Sequence, residues 1–458
     1  MKRAILFFSC LLTFLLPYAA RAQNSALAER PEVASAISLW QAWIESQVDY
    51  SGQPGISAGI VYDQQLIWSH GFGYRDVAKK LPATAQTNYR IASITKLFTS
   101  TAILQLRDGG RLQLDDPVAK HLPWFTLRNA DAYADTPVVT IRHLLTHTSG
   151  LPRESDFPYW TDAQFPTHDQ IVEMLHKQDA PFPPETRWKY SNLALALAGE
   201  IVSAVSGEPY ENYIQKHILD PLGMSTTDFP RSLENDPLLA AAYGRRMPDG
   251  TRAPAPFMNT KGITPAAGLS SNVEDLAKFV MLQFRDGKAG GNQILKGSTL
   301  REMHRLQWIE PDWESGQGLG FAILRQGKRT LVGHGGGLAG YRTLVQFSPE
   351  DKIDVIVLTN SDDGNPGQYS RQFFELVAPE IAKAVAPASK TRTADPIWNT
   401  YVGKYRSSLS DIQVLILDGE LVMISPQAQD LKRSLLKLVP VAPNTFRLMG
   451  ENGGANVG

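Results

Sequence analysis

The chain is almost without cysteine: among 458 residues the only one is Cys10. It lies inside an N-terminal apolar run, with no small-residue cleavage signal before it, which argues against a lipid-anchored cysteine. Once that run is removed no thiol remains, which excludes disulfides, thiolate metal sites and a cysteine nucleophile. An excess of either charge is also missing: 45 Lys and Arg against 46 Asp and Glu leave a formal net charge of −1. Such a chain has no basic field to hold a phosphate backbone, so no nucleic-acid partner is expected. Glycine and proline, 36 and 30 residues, are too few for a collagen-like or low-complexity chain. Beyond residue 16 no apolar stretch is long enough to cross a bilayer.

What remains is an ordinary globular mixture, 43% hydrophobic and 20% charged. The N-terminus is the exception. Lys2 and Arg3 precede an apolar stretch over 4–16, Pro17 breaks it, and Ala20-Arg21-Ala22 offers a small-x-small cleavage site. Residues 1–22 therefore read as a secretory signal peptide, and the mature protein is expected in the periplasm or secreted, free of the membrane. The alternative, an uncleaved anchor, runs against the good cleavage site and the shortness of the apolar core.

The order of elements suggests a mixed α/β (α+β) fold. Val33, Ile37, Trp40, Ile44 and Val48 mark one face of a helix. Strand-like runs follow at 56–62 and 65–70, turning at Asp63 and Gln64. A long section over 89–284 mixes helical patterns with Pro- and Asp-rich loops. Short β runs return at 320–324, 330–332, 342–348 and 354–359, the last two forming a hairpin. Phe373, Phe374, Val377, Ile381 and Val385 mark a final helical stretch, kinked at Pro379. The simplest arrangement is one antiparallel sheet covered by the terminal helices, with a helical lobe inserted and a ligand cleft between them. This domain is expected over 31–385, then a linker over 386–395 and a small β-rich segment over 396–458. Within that segment 413–417 and 420–424 flank Asp418-Gly419, a hairpin signal. About 60 residues are marginal alone, so the segment is either cut short or docked on the main domain.

The chemistry centres on Ser93-Ile94-Thr95-Lys96, opening a helix that runs to about Arg107. A spacing of three places Ser93 and Lys96 on one face, one turn apart. The first turn also offers free N–H groups to an oxyanion. Serine needs a base to become a nucleophile. Lysine serves if its pKa falls from about 10.4 toward 7, a shift worth roughly 4 kcal/mol. Burial and the helix N-terminus both push it that way.

Two further pieces follow in order: Tyr190-Ser191-Asn192 before an apolar helix, and Gly333-His334-Gly335-Gly336-Gly337 between β runs. Together with Ser-x-x-Lys they resemble the three motifs of the serine β-lactamase and penicillin-binding superfamily. The resemblance is greatest to class C β-lactamases and the related esterases and D-amino-acid peptidases. Tyr89-Arg90-Ile91-Ala92, Leu114-Asp115-Asp116-Pro117-Val118, residues 142–150, Pro221-Leu222-Gly223-Met224 and Ala267-Gly268-Leu269-Ser270-Ser271 look like the same family. The resemblance spans roughly 56–385 and implies a β-lactamase/transpeptidase-like fold.

It also implies roles. Ser93 becomes acylated, Lys96 and Tyr190 exchange protons with it, and either is the formal base. The N–H groups of Ser93 and Gly337 form an oxyanion hole. Asn192, His334, Gly335 and Gly336 bind substrate. No metal or cofactor is required. His334 stands where β-lactamases usually carry lysine. An unperturbed histidine is about a quarter protonated at pH 7, so recognition of a substrate carboxylate should be weaker and pH-dependent between about 6 and 8. This favours an ester or D-amino-acid peptide over a β-lactam as substrate. The alternatives are a class C-like β-lactamase, a penicillin-binding D-Ala-D-Ala carboxypeptidase and a non-catalytic binder of cell-wall peptides.

Several patterns are decoys. Gly55-Ile56-Ser57-Ala58-Gly59 matches a nucleophile elbow, but a strand follows where a helix is needed. Gly335 to Gly340 matches a dinucleotide loop, again with a strand after it. His143 and His147 are spaced as a metal pair but lack the glutamate of the metalloprotease motif, and read as packing or hydrogen-bonding residues. Trp124, Trp160 and Trp188 are read as core packing.

Overall fold

The computed structural model describes residues 26–129, 135, 137–159, 162–232, 236–286, 291–386, 394–406, 411–417, 419–425 and 435–450. The N-terminal targeting segment, most of the expected linker, Trp160 and Asp418 lie outside the described residues. The chain divides into two compact units, 1–384 and 385–458.

The first unit is built on a nine-stranded sheet in which every pairing is antiparallel. In chain order the strands are β1 (Gly55–Tyr62), β2 (Gln65–Asp76), β3 (Leu81–Pro82), the separate pair β4 (Tyr89–Arg90) and β5 (Ser270–Ser271), then β6 (Trp308–Ile309), β7 (Ser315–Gln317), β8 (Ala322–Gln326), β9 (Arg329–Leu338), β10 (Tyr341–Ser348) and β11 (Ile353–Thr359). The sheet order is β3-β2-β1-β11-β10-β9-β8-β7-β6, so the first strands pair with the last. That closure makes the terminal helices neighbours. Helix α1 (Pro31–Tyr50) buries Val33, Ile37, Trp40 and Ile44, the face its spacing predicts. Trp40 packs 5.5 Å from both Trp68 and Phe373, and its Nε1 donates to Tyr369 O at 3.1 Å. The last helical stretch breaks at Val377, between Pro366–Leu376 and Ala378–Val385, as Pro379 requires.

The opposite side of the sheet carries the helical section: α2 (Thr95–Asp108), α3 (Ile141–Thr146), α4 (Asn192–Ser206), α5 (Thr264–Ala267) and α6 (Val273–Gln283). Gly59 in β1 lets α6 sit close, because a Cβ there would lie 2.3 Å from Val273 Cγ1. One hydrophobic core runs from Val345, Phe347 and Ile356 of the sheet through Leu97, Phe98 and Ile103 of α2 to Leu193, Leu197 and Ile201 of α4.

The second unit holds a five-stranded antiparallel sheet: β12 (Gly403–Arg406), β13 (Asp411–Leu417), β14 (Glu420–Ile424), β15 (Leu436–Ala442) and β16 (Thr445–Met449), in sequential order. The β13–β14 hairpin is the expected one, with Gly419 at φ 72°. The last hairpin, turning at Asn444 with φ 55°, was not expected from the sequence.

Candidate active site

Ser93 does not sit in the first α-helical turn. It occupies a 3₁₀ turn, Ala92–Ile94, that leads into α2 at Thr95. Ala92 before it has φ 47°, a left-handed conformation that costs a non-glycine residue about 1 kcal/mol or more. The turn is held from both sides. Ile91 N–H donates to Leu269 O at 3.0 Å, Thr95 Oγ1 accepts from Leu269 N–H at 3.1 Å, and Thr343 Oγ1 of β10 donates to Ile91 O at 3.1 Å. Ser93 stays half-buried while Ile94 and Lys96 are buried.

The spacing of three does bring the two side chains together. Lys96 Nζ lies 3.1 Å from Ser93 Oγ, 2.7 Å from Asn192 Oδ1 and 2.9 Å from Ala266 O at α5. Burial pushes the Lys96 pKa down to about 7; the Glu154 carboxylate opposes this and the Arg153 guanidinium adds to it. Tyr190 closes the group. Its ring centroid is 4.9 Å from Lys96 Nζ. Burial pushes its hydroxyl up to about 12, with the Ser93 side chain pulling the other way.

Tyr190 and Asn192 are placed by the start of α4, where Ser191 is the N-cap and its side chain accepts from Ala194 N–H at 2.9 Å. Asn192 is buried, and its Nδ2 donates to Glu154 Oε1 at 2.6 Å. Behind Tyr190 stands His147, a left-handed residue at the end of α3. Its Nδ1 accepts from Ser191 N–H at 3.2 Å and its ring lies 4.5 Å from that of Tyr190. Burial, with the charge of Lys96 second, holds its pKa well below the usual histidine range, so the ring is neutral. Arg153 Cζ is 5.2 Å from the Tyr190 ring centroid.

Strand β9 forms the other wall. It pairs with β10 from Val332 to Leu338 but with β8 only as far as Gly333, so its edge over 334–337 carries no neighbouring strand. Gly336 lies against the nucleophile turn: a Cβ there would be 2.1 Å from Ile91 O and 2.2 Å from Thr343 Oγ1. Gly335 and Gly337 alternate with it and are exposed. Beside Gly337 opens a cleft of about 490 Å3, lined by Arg153, Met258, Leu338, Arg342 and Asp362.

His334 behaves differently from expectation. It is buried, with its ring centroid 6.1 Å from that of Tyr190. Its Nδ1 is 2.6 Å from Gly335 O, a group that only accepts, so Nδ1 carries the hydrogen. Burial, followed by the charge of Lys96, pushes its pKa down to about 4. The imidazole is therefore neutral between pH 6 and 8, and the expected titration in that window is corrected: the low-dielectric site removes it.

The decoys resolve simply. Ser57 is a buried residue of β1 whose Oγ donates to Thr84 O at 2.7 Å. His143 belongs to the capping box of α3 and its Nε2 lies 2.9 Å from Glu185 Oε1. No cluster among the described residues could hold a metal ion. Sequence reasoning missed Glu154, Arg153 and the Ala266 carbonyl. A charged pair directly after Gly150-Leu151-Pro152 was a visible signal for the first two. A main-chain carbonyl has no side-chain signature.

Comparison with known proteins agrees with this geometry. The Beta-lactamase family signature matches residues 40–378. "Beta-lactamase-like protein 2" of Dictyostelium discoideum is 29% identical over 337 residues, 72% of this chain, which spans 60% of that relative's length. The octameric penicillin-binding protein homologue from Pyrococcus abyssi is 29% identical and superposes with a TM-score of 0.66, covering 92% of this chain and 94% of that one. A D-stereospecific amidohydrolase from Streptomyces sp. is 27% identical with a TM-score of 0.62, covering 73% of this chain and 97% of that one. The family match takes in the whole sheet together with Ser93, Lys96, Tyr190 and the glycine strand, and on that extent the chain belongs to the beta-lactamase family.

Proposed function

We propose that this chain is an exported serine hydrolase that forms an acyl-enzyme at Ser93 and cleaves an ester or a D-amino-acid amide bond. The observation that carries this reading is the bonding of the Lys96 amine. Two of its neighbours, Asn192 Oδ1 and Ala266 O, only accept hydrogen bonds and take two N–H groups. The position left faces Ser93 Oγ, so the neutral amine meets the serine proton with its lone pair.

Lys96 Nζ takes the Ser93 proton while Oγ bonds to the substrate carbonyl carbon. The N–H groups of Ser93 and Gly337 receive the oxyanion, an arrangement worth about 2.7–4 kcal/mol per donor. As the tetrahedral intermediate collapses and the bond between the carbonyl carbon and the leaving group breaks, Tyr190, protonated at neutral pH, gives its proton to the leaving group and is resupplied by the Lys96 ammonium. Water then attacks the acyl-enzyme with the same groups in reverse. Between the two candidate bases, the depressed amine is better matched to neutral pH than the raised phenol.

The neutral His334 favours substrates without a carboxylate beside the scissile bond over penicillins. The similarity to a D-stereospecific amidohydrolase supports the D-amino-acid branch. The charged, apolar and small-residue pattern over 1–22 supports export. Incubation with a fluorophosphonate probe, then with esters, D-amino-acid amides and β-lactams, followed by intact mass, tests the reading. A single adduct lost in Ser93→Ala is expected. Absence of any adduct on the folded protein would leave a non-catalytic peptide binder.

A further inference from the structure

A primary amide can present either of its ends to an amine, and the two ends act oppositely. An amide oxygen holds Lys96; an amide NH₂ would repel its N–H groups. In this site one contact decides between them. Asn192 Nδ2 is 2.6 Å from Glu154 Oε1, and an ionised carboxylate oxygen accepts but does not donate. The NH₂ end is therefore committed to Glu154, and Oδ1 faces Lys96 Nζ at 2.7 Å.

We propose that Glu154 is a positioning residue for the reaction proposed above: through Asn192 it turns the Lys96 amine toward Ser93 and supplies the negative charge that balances the ammonium formed when Lys96 takes the serine proton. The inference rests on that catalytic reading. Its geometry is a three-member line, Glu154 carboxylate to Asn192 amide to Lys96 amine, with both links within hydrogen-bond distance. Asn192 is 4% exposed and Lys96 is fully buried, so solvent does not substitute for either link.

The other titratable groups around the amine come from four elements. Tyr190 before α4 is protonated, and His147 at the end of α3 and His334 on β9 are neutral. Arg153, on the same loop as Glu154, is positive and lies 3.6 Å from Glu154 Oε1. Helix α5 contributes only the Ala266 carbonyl. Glu154 is thus the one group of this set whose charge strengthens the amine's hold on a proton.

The test uses the full chain and the rate of Ser93 labelling by a fluorophosphonate, measured from pH 5 to 9. Glu154→Gln keeps an oxygen for Asn192 Nδ2 but removes the charge, so the midpoint of the acid limb should fall by about one pH unit. Glu154→Ala frees the amide to turn and should slow labelling at pH 8 by about tenfold or more, with Glu154→Asp recovering part of the loss. A purely structural role lowers Tm and leaves the midpoint in place. That result, or a Gln profile superimposable on the wild type, overturns the proposal. If the Ala variant does not fold, the near-isosteric Gln variant still decides the matter. A wild-type protein that never labels at Ser93 overturns the catalytic reading, and this inference with it. A wild type that labels, with an unmoved Gln midpoint, overturns the role of Glu154 alone.

Discussion

At the scale of single residues, the site is a set of protonation states chosen by burial. Lys96 is poised at about 7 and Tyr190 is held at about 12, so in the free protein the amine loses its proton first. Activity that needs the neutral amine grows as pH rises through the Lys96 value. We expect kcat/KM for a neutral ester to climb about tenfold per pH unit below about 6.5 and to level above about 7.5, read from a stopped-assay pH profile. Lys96→Arg, which places a group that does not deprotonate in the same space, should cost about 10²- to 10⁴-fold with the fold retained by circular dichroism. His334 carries the opposite expectation. Its ring is neutral throughout the physiological range, so the change in KM for an acid-bearing ester between pH 6 and 8 should be the same in the wild type and in His334→Gln. A rise in KM seen in the wild type and lost in that variant would show an imidazolium after all. His334→Lys should speed penicillin acylation, measured by mass shift. Of these residues, the closeness of Ser93 and Lys96 was legible from their spacing, whereas a catalytic reading of them, and of Tyr190, Asn192 and His334, needed the three motifs together. The burial of His334 was not, because it depends on Tyr190 and Lys96 arriving from distant parts of the chain.

At the scale of elements, β9 is the most exacting piece. Its glycines let the strand lie against the Ile91–Ser93 turn; Gly333 and Gly336 both lack room for a side chain, and Gly336 is the one that faces that turn. Gly336→Ala should push β9 off that turn, slow Ser93 labelling by about a hundredfold and cost about 1–3 kcal/mol of stability. Gly335→Ala, whose added carbon meets nothing closer than 3.6 Å, should keep the wild-type Tm. Differential scanning calorimetry of the pair separates the two. The expected strand at 330–332 extends through the glycines to Leu338. Glycine is depleted in strands, and pairing with β10 along the run holds these residues extended. The hairpin at 413–424 announced itself through Asp418-Gly419, whereas β15 carries Pro440, which breaks a strand reading made from sequence.

At the scale of the whole molecule, the joined core stores several neutral imidazoles. His304 lies 5.1 Å from both Phe321 and Phe347, and burial pushes its pKa down to about 3. His334 and His147 are likewise depressed by burial. The sign follows from proton counting. Below about pH 6.5 the unfolded chain binds protons at these rings and the folded chain does not, so the rings' contribution to stability is full above that pH and is lost as pH falls. Each such ring contributes about 1.4 kcal/mol of loss per pH unit until its folded value is reached. Chemical denaturation at pH 7, 6 and 5 should show this steep decline, and His304→Leu should flatten it by about one proton whatever it does to the absolute stability. A decline unchanged by that substitution would place the titration elsewhere.

The Ala266 carbonyl has a consequence for how this site can be altered. One arm of the grip on Lys96 is main chain, and main chain is common to every point variant. Walls of the cleft beside Gly337, such as Met258, Leu338 and Arg342, can be exchanged without touching that arm. Variation of those walls therefore leaves the Lys96 amine held as before, and the feature to protect during such remodelling is the short helix from Thr264 to Ala267 that presents the oxygen.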